Sequence, residues 1–180
     1  MYEPLSQRIL EQTRTVYDFP KAGINFFDVT TVLADGNLLS DIIESFCDRI
    51  EKLGDNIDAV VGIESRGFMF GAAICSQLKT SFVPVRKPGK LPAETYSASY
   101  DLEYGSATLE LHKDAISKGD RIVIVDDLLA TGGTAEATAK LVEEAGGKIV
   151  EFAFVYELAF LKGRQRLRPY PVHALVTCEE

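Results

Sequence analysis

Residues 123–134 read Val-Ile-Val-Asp-Asp-Leu-Leu-Ala-Thr-Gly-Gly-Thr: an apolar strand, two adjacent carboxylates, then a small-residue loop that opens a helix. The loop Ala130-Thr131-Gly132-Gly133-Thr134 suits close approach to an anion, because glycine tolerates positive φ and has no side chain to collide. A helix beginning near Thr134 aims unpaired N–H groups and the positive end of its dipole at that anion. Asp126 and Asp127 are unsuited to phosphate. They suit hydroxyl groups or a hard cation such as magnesium. A phosphate cradle beside an acidic pair predicts a phosphorylated sugar, its hydroxyls read by the carboxylates.

A glycine pair after a strand is weak evidence alone, since such turns serve many α/β proteins as plain connections. No Lys-Ser/Thr follows the glycines, so this is not a Walker A loop, and the spacing of a dinucleotide fingerprint is missing. The acidic pair decides the matter. Two adjacent aspartates after an apolar run repel each other unless something compensates them. Two further stretches carry charge in short turns, Glu64-Ser65-Arg66-Gly67 and Arg86-Lys87-Pro88-Gly89-Lys90. Three cations in five residues, in a chain of net charge −8, suit a polyanion.

The elements that position these residues follow from hydrophobic period. Leu5, Ile9 and Val16 predict an amphipathic N-terminal helix, and the Pro/Gly-bearing stretch 18–23 an irregular loop. Leu39 to Leu53 has helical spacing, with Gly54 placed to end it. Strands are predicted over 57–63, 81–87, 121–126, 148–156 and 172–178, the last late and edge-like, with helices over 68–78 and 135–145. Tyr96, Ala98, Tyr100, Leu102 and Tyr104 alternate with polar residues and, with 108–111, predict an antiparallel excursion. Strands alternating with helices imply an α/β fold with a mostly parallel central sheet flanked by helices. Ligands in such folds sit beyond the carboxyl ends of the strands. All three charged features fall at such ends.

Composition narrows the class. The 180 residues fit one domain, with hydrophobic content of 46% and charged content of 26%. No apolar run approaches the ~20 residues that span a bilayer. An acidic chain does not suit a nucleic-acid surface. The three cysteines, Cys47, Cys75 and Cys178, are far apart and odd in number, which fits neither a zinc cluster nor a disulfide framework. The N-terminus has no secretory pattern, so a cytoplasmic setting is expected.

Residues 123–135 are similar to the phosphoribosyl-pyrophosphate (PRPP) signature of the type I phosphoribosyltransferases. The resemblance extends over Asp18-Phe19-Pro20 with Gly23, Phe26 and Asp28; Ser65 to Phe68; Arg86-Lys87 with Gly89 to Pro92; Leu102-Glu103-Tyr104-Gly105; and Leu161 to Arg164. In that range it follows the adenine-using branch of the family. It implies one domain over 1–180, with an N-terminal helix and base-binding hood over about 1–35 and a flexible flap over about 88–110. It further implies a magnesium-dependent transfer of the phosphoribosyl group from PRPP to adenine, giving AMP and pyrophosphate in purine salvage, by a homodimer.

Residue by residue, the resemblance places Ala130, Thr131, Gly132, Gly133 and Thr134 on the 5′-phosphate. It places Asp126 and Asp127 at the ribose hydroxyls, and Ser65, Arg66, Arg86, Lys87, Lys90 and Tyr104 on pyrophosphate. Asn25, Phe26, Phe27 and Leu128 meet adenine, with Phe26 stacking on it. Glu103 handles the adenine proton. Magnesium is carried mainly by PRPP, reaching Asp126 and Asp127 through water rather than direct bonds. A non-proline cis peptide is implied at Glu64–Ser65. The position after Phe26 is often arginine in the family and is Phe27 here. Rival readings are the same transfer to another base, and a PRPP-sensing regulator without catalysis.

Overall fold

The computed structural model describes residues 3–19, 21–23, 25–54, 56–101 and 106–179. The chain forms two compact units, Met1–Ser45 and Phe46–Glu180.

In the first unit, α1 (Leu5–Gln12) buries Ile9 and stops at Thr13, whose extended backbone leads into β1 (Arg14–Val16). Val16, expected to continue the helix, therefore lies in a strand. It pairs with Phe26 of β2 (Phe26–Asp28) in an antiparallel ribbon. The ring of Phe19 meets Phe26 edge-on, centroids 5.3 Å apart. The side chain of Asp28 caps the short helix α2 (Thr30–Leu33), accepting from the Thr30 N–H at 3.0 Å. The helix α3 (Gly36–Glu51) is launched by Asp35, which accepts from the Asn37 and Leu38 N–H groups.

The second unit is built on five strands: β3 (Ala59–Ile63), β4 (Ser81–Val85), β7 (Arg121–Leu129), β8 (Lys148–Leu158) and β9 (Val172–Cys178). Their order is β4-β3-β7-β8-β9 and every pairing is parallel. The expected mostly parallel sheet is thus wholly parallel among these strands. β3 is buried along its whole length, as a strand covered on both faces must be. Pro84 lies in β4, an edge strand, where a missing N–H costs the ladder least. β9 takes the other edge, as expected.

Between β3 and β4 runs α4 (Gly67–Leu78), and between β7 and β8 runs α5 (Gly133–Glu144). The antiparallel excursion is a two-stranded hairpin of β5 (Thr95–Asp101) and β6 (Ser106–His112). Its inner row, Tyr96, Ala98 and Tyr100, packs on the core formed by Val83, Val85, Leu109, Leu111 and the apolar side of α5. Glu103 and Tyr104 lie outside the described residues.

Candidate active site

Parallel pairing puts the carboxyl ends of β3, β4, β7 and β8 on one rim of the sheet. The ends of β3, β4 and β7 each lead into one of the charged or small-residue turns, so the predicted gathering of three features on one rim holds within the second unit. β7 differs from expectation. It continues through Asp126 and Asp127 to Leu129, pairing Asp126 with Phe154 and Leu128 with Tyr156 of β8. Asp126 is a strand residue as expected, and Asp127, Leu128 and Leu129 extend the strand beyond the predicted end.

What compensates them comes from 61 residues earlier in the chain. The Arg66 Nε–H donates to Asp127 Oδ2 in a short, partly buried ion pair. Asp127 is only 4% exposed, so this partner is needed to hold its charge. Burial first, and the neighbouring Asp127 charge second, push the Asp126 carboxyl well above the usual carboxylate range. The Asp127 N–H, donating to Asp126 Oδ1 at 2.9 Å, pulls the other way. The Arg66 charge acts on Asp126 as well, but as the smallest of the influences on its carboxyl.

Arg66 reaches Asp127 because the start of α4 lies hard against β7. A Cβ on Gly67 would come within 2.6 Å of the Val125 carbonyl oxygen and 3.0 Å of Asp126 Oδ1. Only glycine permits that approach. The preceding peptide, Glu64–Ser65, is cis as the resemblance implies. Ser65 is exposed and Arg66 half-buried.

A second acid–cation group stands beside the first. Glu64 Oε2 accepts the Lys87 N–H at 2.8 Å and lies 3.4 Å from Arg86 Nε. The Lys87 N–H, above all, holds the Glu64 carboxyl below its ordinary range, with the Arg86 charge adding to it. Arg86 also donates to the Lys90 carbonyl at 3.2 Å, and its Nε is buried without a hydrogen bond among the described residues. Lys87 and Lys90 are exposed. Thus both arginines expected at a polyanion face a carboxylate, while the lysines face solvent.

The loop after β7 is formed as its composition predicts. Gly132 has φ +84° and caps α5, and Gly132 and Gly133 are buried with Thr131 exposed. The backbone here is gripped from behind by a residue to which the sequence assigned no role. A Cβ on Gly163 would sit 2.1 Å from the Ala130 carbonyl oxygen, and one on Gly132 would sit 2.7 Å from the Gly163 carbonyl oxygen. Gly163 follows two short 3-10 turns' boundary at Lys162 and is buried. Arg164 anchors this segment, donating to the buried Glu157 at 2.8 Å and to the Val172 carbonyl at 2.6 Å. The Leu161-Lys162-Gly163-Arg164 motif was the available signal, but nothing local in it points to a loop some 30 residues away.

Leu128 is half-buried on β7. In the first unit, Asn25 is exposed and Phe26 and Phe27 are half-buried in or beside β2. Among the described residues no group of three or more His, Cys, Asp or Glu side chains is placed to hold a metal ion. Among the described residues the carboxylates at the end of β7 are Asp126 and Asp127, with Asp127 already engaged by Arg66. That set fits a magnesium ion whose remaining oxygens come from a phosphorylated ligand and from water.

Fold and rim together define an α/β protein whose parallel strands end, on one rim, in a glycine loop and paired charges. Residues 28–178 match the phosphoribosyl transferase domain. The chain is 54% identical over 178 residues to an adenine phosphoribosyltransferase of Acidobacterium capsulatum, covering 99% of this chain and 95% of that one. Its structure is similar to the adenine phosphoribosyltransferase of Thermoanaerobacter pseudethanolicus, with TM-score 0.91, 49% identity, and 96% and 99% of the two chains covered. It is also similar to that of Saccharomyces cerevisiae in complex with an imino-altritol bisphosphate and adenine, with TM-score 0.92, 42% identity, and 95% and 98% covered. This chain belongs to the phosphoribosyltransferase family, in its adenine phosphoribosyltransferase branch.

Proposed function

We propose that this protein transfers the 5-phosphoribosyl group of PRPP to adenine, yielding AMP and pyrophosphate. The observation that carries the reading is the rim of the second unit, where a glycine loop capping α5 stands beside a partly buried Asp–Arg pair and a second cluster of cations. Relatives over nearly the whole length support adenine as the acceptor.

In this reading Ala130 to Thr134 hold the 5′-phosphate through backbone N–H groups and the Thr hydroxyls. Asp126 and Asp127 accept from the ribose hydroxyls and favour the positive charge that grows on the anomeric carbon as its bond to pyrophosphate breaks. Arg66, Arg86, Lys87 and Lys90, with Ser65 and Tyr104, stabilise the negative charge gathering on the leaving group. The carboxylates that now face Arg66 and Arg86 keep those guanidinium groups oriented before the polyanion arrives. Magnesium, when bound with PRPP, supplies further neutralisation of the pyrophosphate oxygens. Glu103 takes up or orients the proton lost by adenine as its ring nitrogen bonds to the sugar. Base recognition is assigned to Asn25, Phe26, Phe27 and Leu128. A homodimeric, cytoplasmic enzyme of purine salvage is part of the same proposal.

The deciding experiment is AMP formation from PRPP and magnesium across a panel of free bases. Adenine is expected to be preferred by orders of magnitude. Preference for hypoxanthine or guanine would overturn the acceptor, and PRPP binding without any turnover would favour a sensor over an enzyme.

A further inference from the structure

Among the described residues a polar contact joins the hairpin to the phosphate loop, and the mechanism above leaves it unused. Tyr100 stands opposite Ala107, one position before the end of β5, and its ring belongs to the row that packs on the core. The side chain is partly buried. The Thr134 Oγ1–H donates to the Tyr100 oxygen at 3.2 Å. Thr134 is the second residue of α5 and the last of the loop expected to hold the phosphate.

We propose that Tyr100 is a positioning residue for the phosphate loop, passing a hydrogen bond through Thr134 to the bound 5′-phosphate. This rests on the assignment of that loop to phosphate. A hydroxyl has one hydrogen to give and lone pairs to receive, whereas a phosphate oxygen only accepts. In the structure Thr134 gives its hydrogen to Tyr100. For Thr134 to donate to a phosphate its O–H must turn away, which leaves a lone pair towards Tyr100. The tyrosine hydroxyl then turns to donate into it. The result is a chain, Tyr100 O–H to Thr134 Oγ1–H to phosphate, in which each bond polarises the next. It fixes the Thr134 rotamer and makes its hydroxyl a better donor. Phenylalanine at 100 would fill the same space and supply neither.

The test measures ribose 5-phosphate binding calorimetrically in the full chain. Tyr100→Phe should weaken binding roughly fivefold to tenfold, the worth of about one hydrogen bond, while the melting temperature without ligand falls by no more than about 4 °C. In a Thr134→Val background, Tyr100→Phe should cost less than twofold more, since the link is already cut. In a Thr134→Ser background, which keeps the hydroxyl, the full loss should return. A merely structural tyrosine would give equal losses in all three backgrounds. That result, or binding by Tyr100→Phe within twofold of the unmodified chain, would overturn the proposal. Failure of the unmodified chain to bind ribose 5-phosphate would overturn the phosphate assignment itself, and the role of Tyr100 with it.

Discussion

Asp126 and Asp127 are adjacent on one strand, yet the fold treats their charges differently. Asp127 has the Arg66 guanidinium; Asp126 has burial and a negative neighbour, and its carboxyl titrates well above the ordinary value of 3.8. The sign of the consequence follows. A raised native pKa means that the native state holds the proton more tightly than the unfolded chain does. The stability this contributes is complete below the ordinary carboxylate range and is lost as pH rises through the native pKa. Replacing Asp126 with asparagine removes that loss. Asp126→Asn should therefore melt at the same temperature as the parent near pH 3 and higher at pH 7–8, by about 2–4 °C for each kcal/mol recovered. Its kcat/KM with PRPP should fall roughly 10- to 100-fold, the scale of a lost charged hydrogen bond. Melting scans at both pH values and steady-state rates check the pair of outcomes. A site that costs stability when empty is what a group kept for ligand binding predicts. Glu103→Gln, by contrast, should slow the chemical step by about 10²-fold or more if it handles the adenine proton. Near-normal single-turnover rates would remove it from the mechanism.

At the scale of elements, most of the fold was legible, because strands and helices of a parallel sheet announce themselves by apolar runs and by period. What escaped has a common physical cause. The strand prediction ends at Asp126, because a second carboxylate and a small-residue loop follow it. The strand continues to Leu129 because Arg66 supplies compensation from another connection. Gly163 was a letter in a motif without a task, because its task is to leave room for Ala130 and Gly132. Val16 entered a ribbon instead of a helix because its partner, Phe26, is remote in sequence. Local pattern carries no information about such distant partners. The Gly163 contact makes a sharp prediction. A methyl group placed 2.1 Å from the Ala130 carbonyl oxygen cannot be accommodated without moving backbone. Gly163→Ala should cost about 1–3 kcal/mol of stability, as overpacking does, and should lower ribose 5-phosphate affinity by more than the same change at exposed Gly36, where an added Cβ meets nothing. Denaturant midpoints and calorimetry on both variants read the comparison.

For the whole molecule the central quantity is the small margin by which folding wins, about 5–15 kcal/mol for a domain of ordinary size. This chain spends part of that margin at its rim. It holds a raised carboxylate, crowds glycine backbones against one another, and gathers cations on an acidic molecule of net charge −8. A ligand that binds only the native state returns stability by mass action, about 2.7 kcal/mol at a hundred times its Kd. For a chain of this length that corresponds to a rise in melting temperature of roughly 5–10 °C. Ribose 5-phosphate at that excess should therefore raise the melting temperature of the unmodified protein by this amount, and inorganic phosphate should raise it by less, since it meets the loop but no hydroxyl-reading carboxylate. The two ligands separate the parts of the site. In Asp126→Asn the increment due to ribose 5-phosphate should shrink towards that of phosphate, while the increment due to phosphate stays. Equal increments for the two ligands in the unmodified protein would mean that the aspartates do not read the sugar, and the rim would then be an anion site alone.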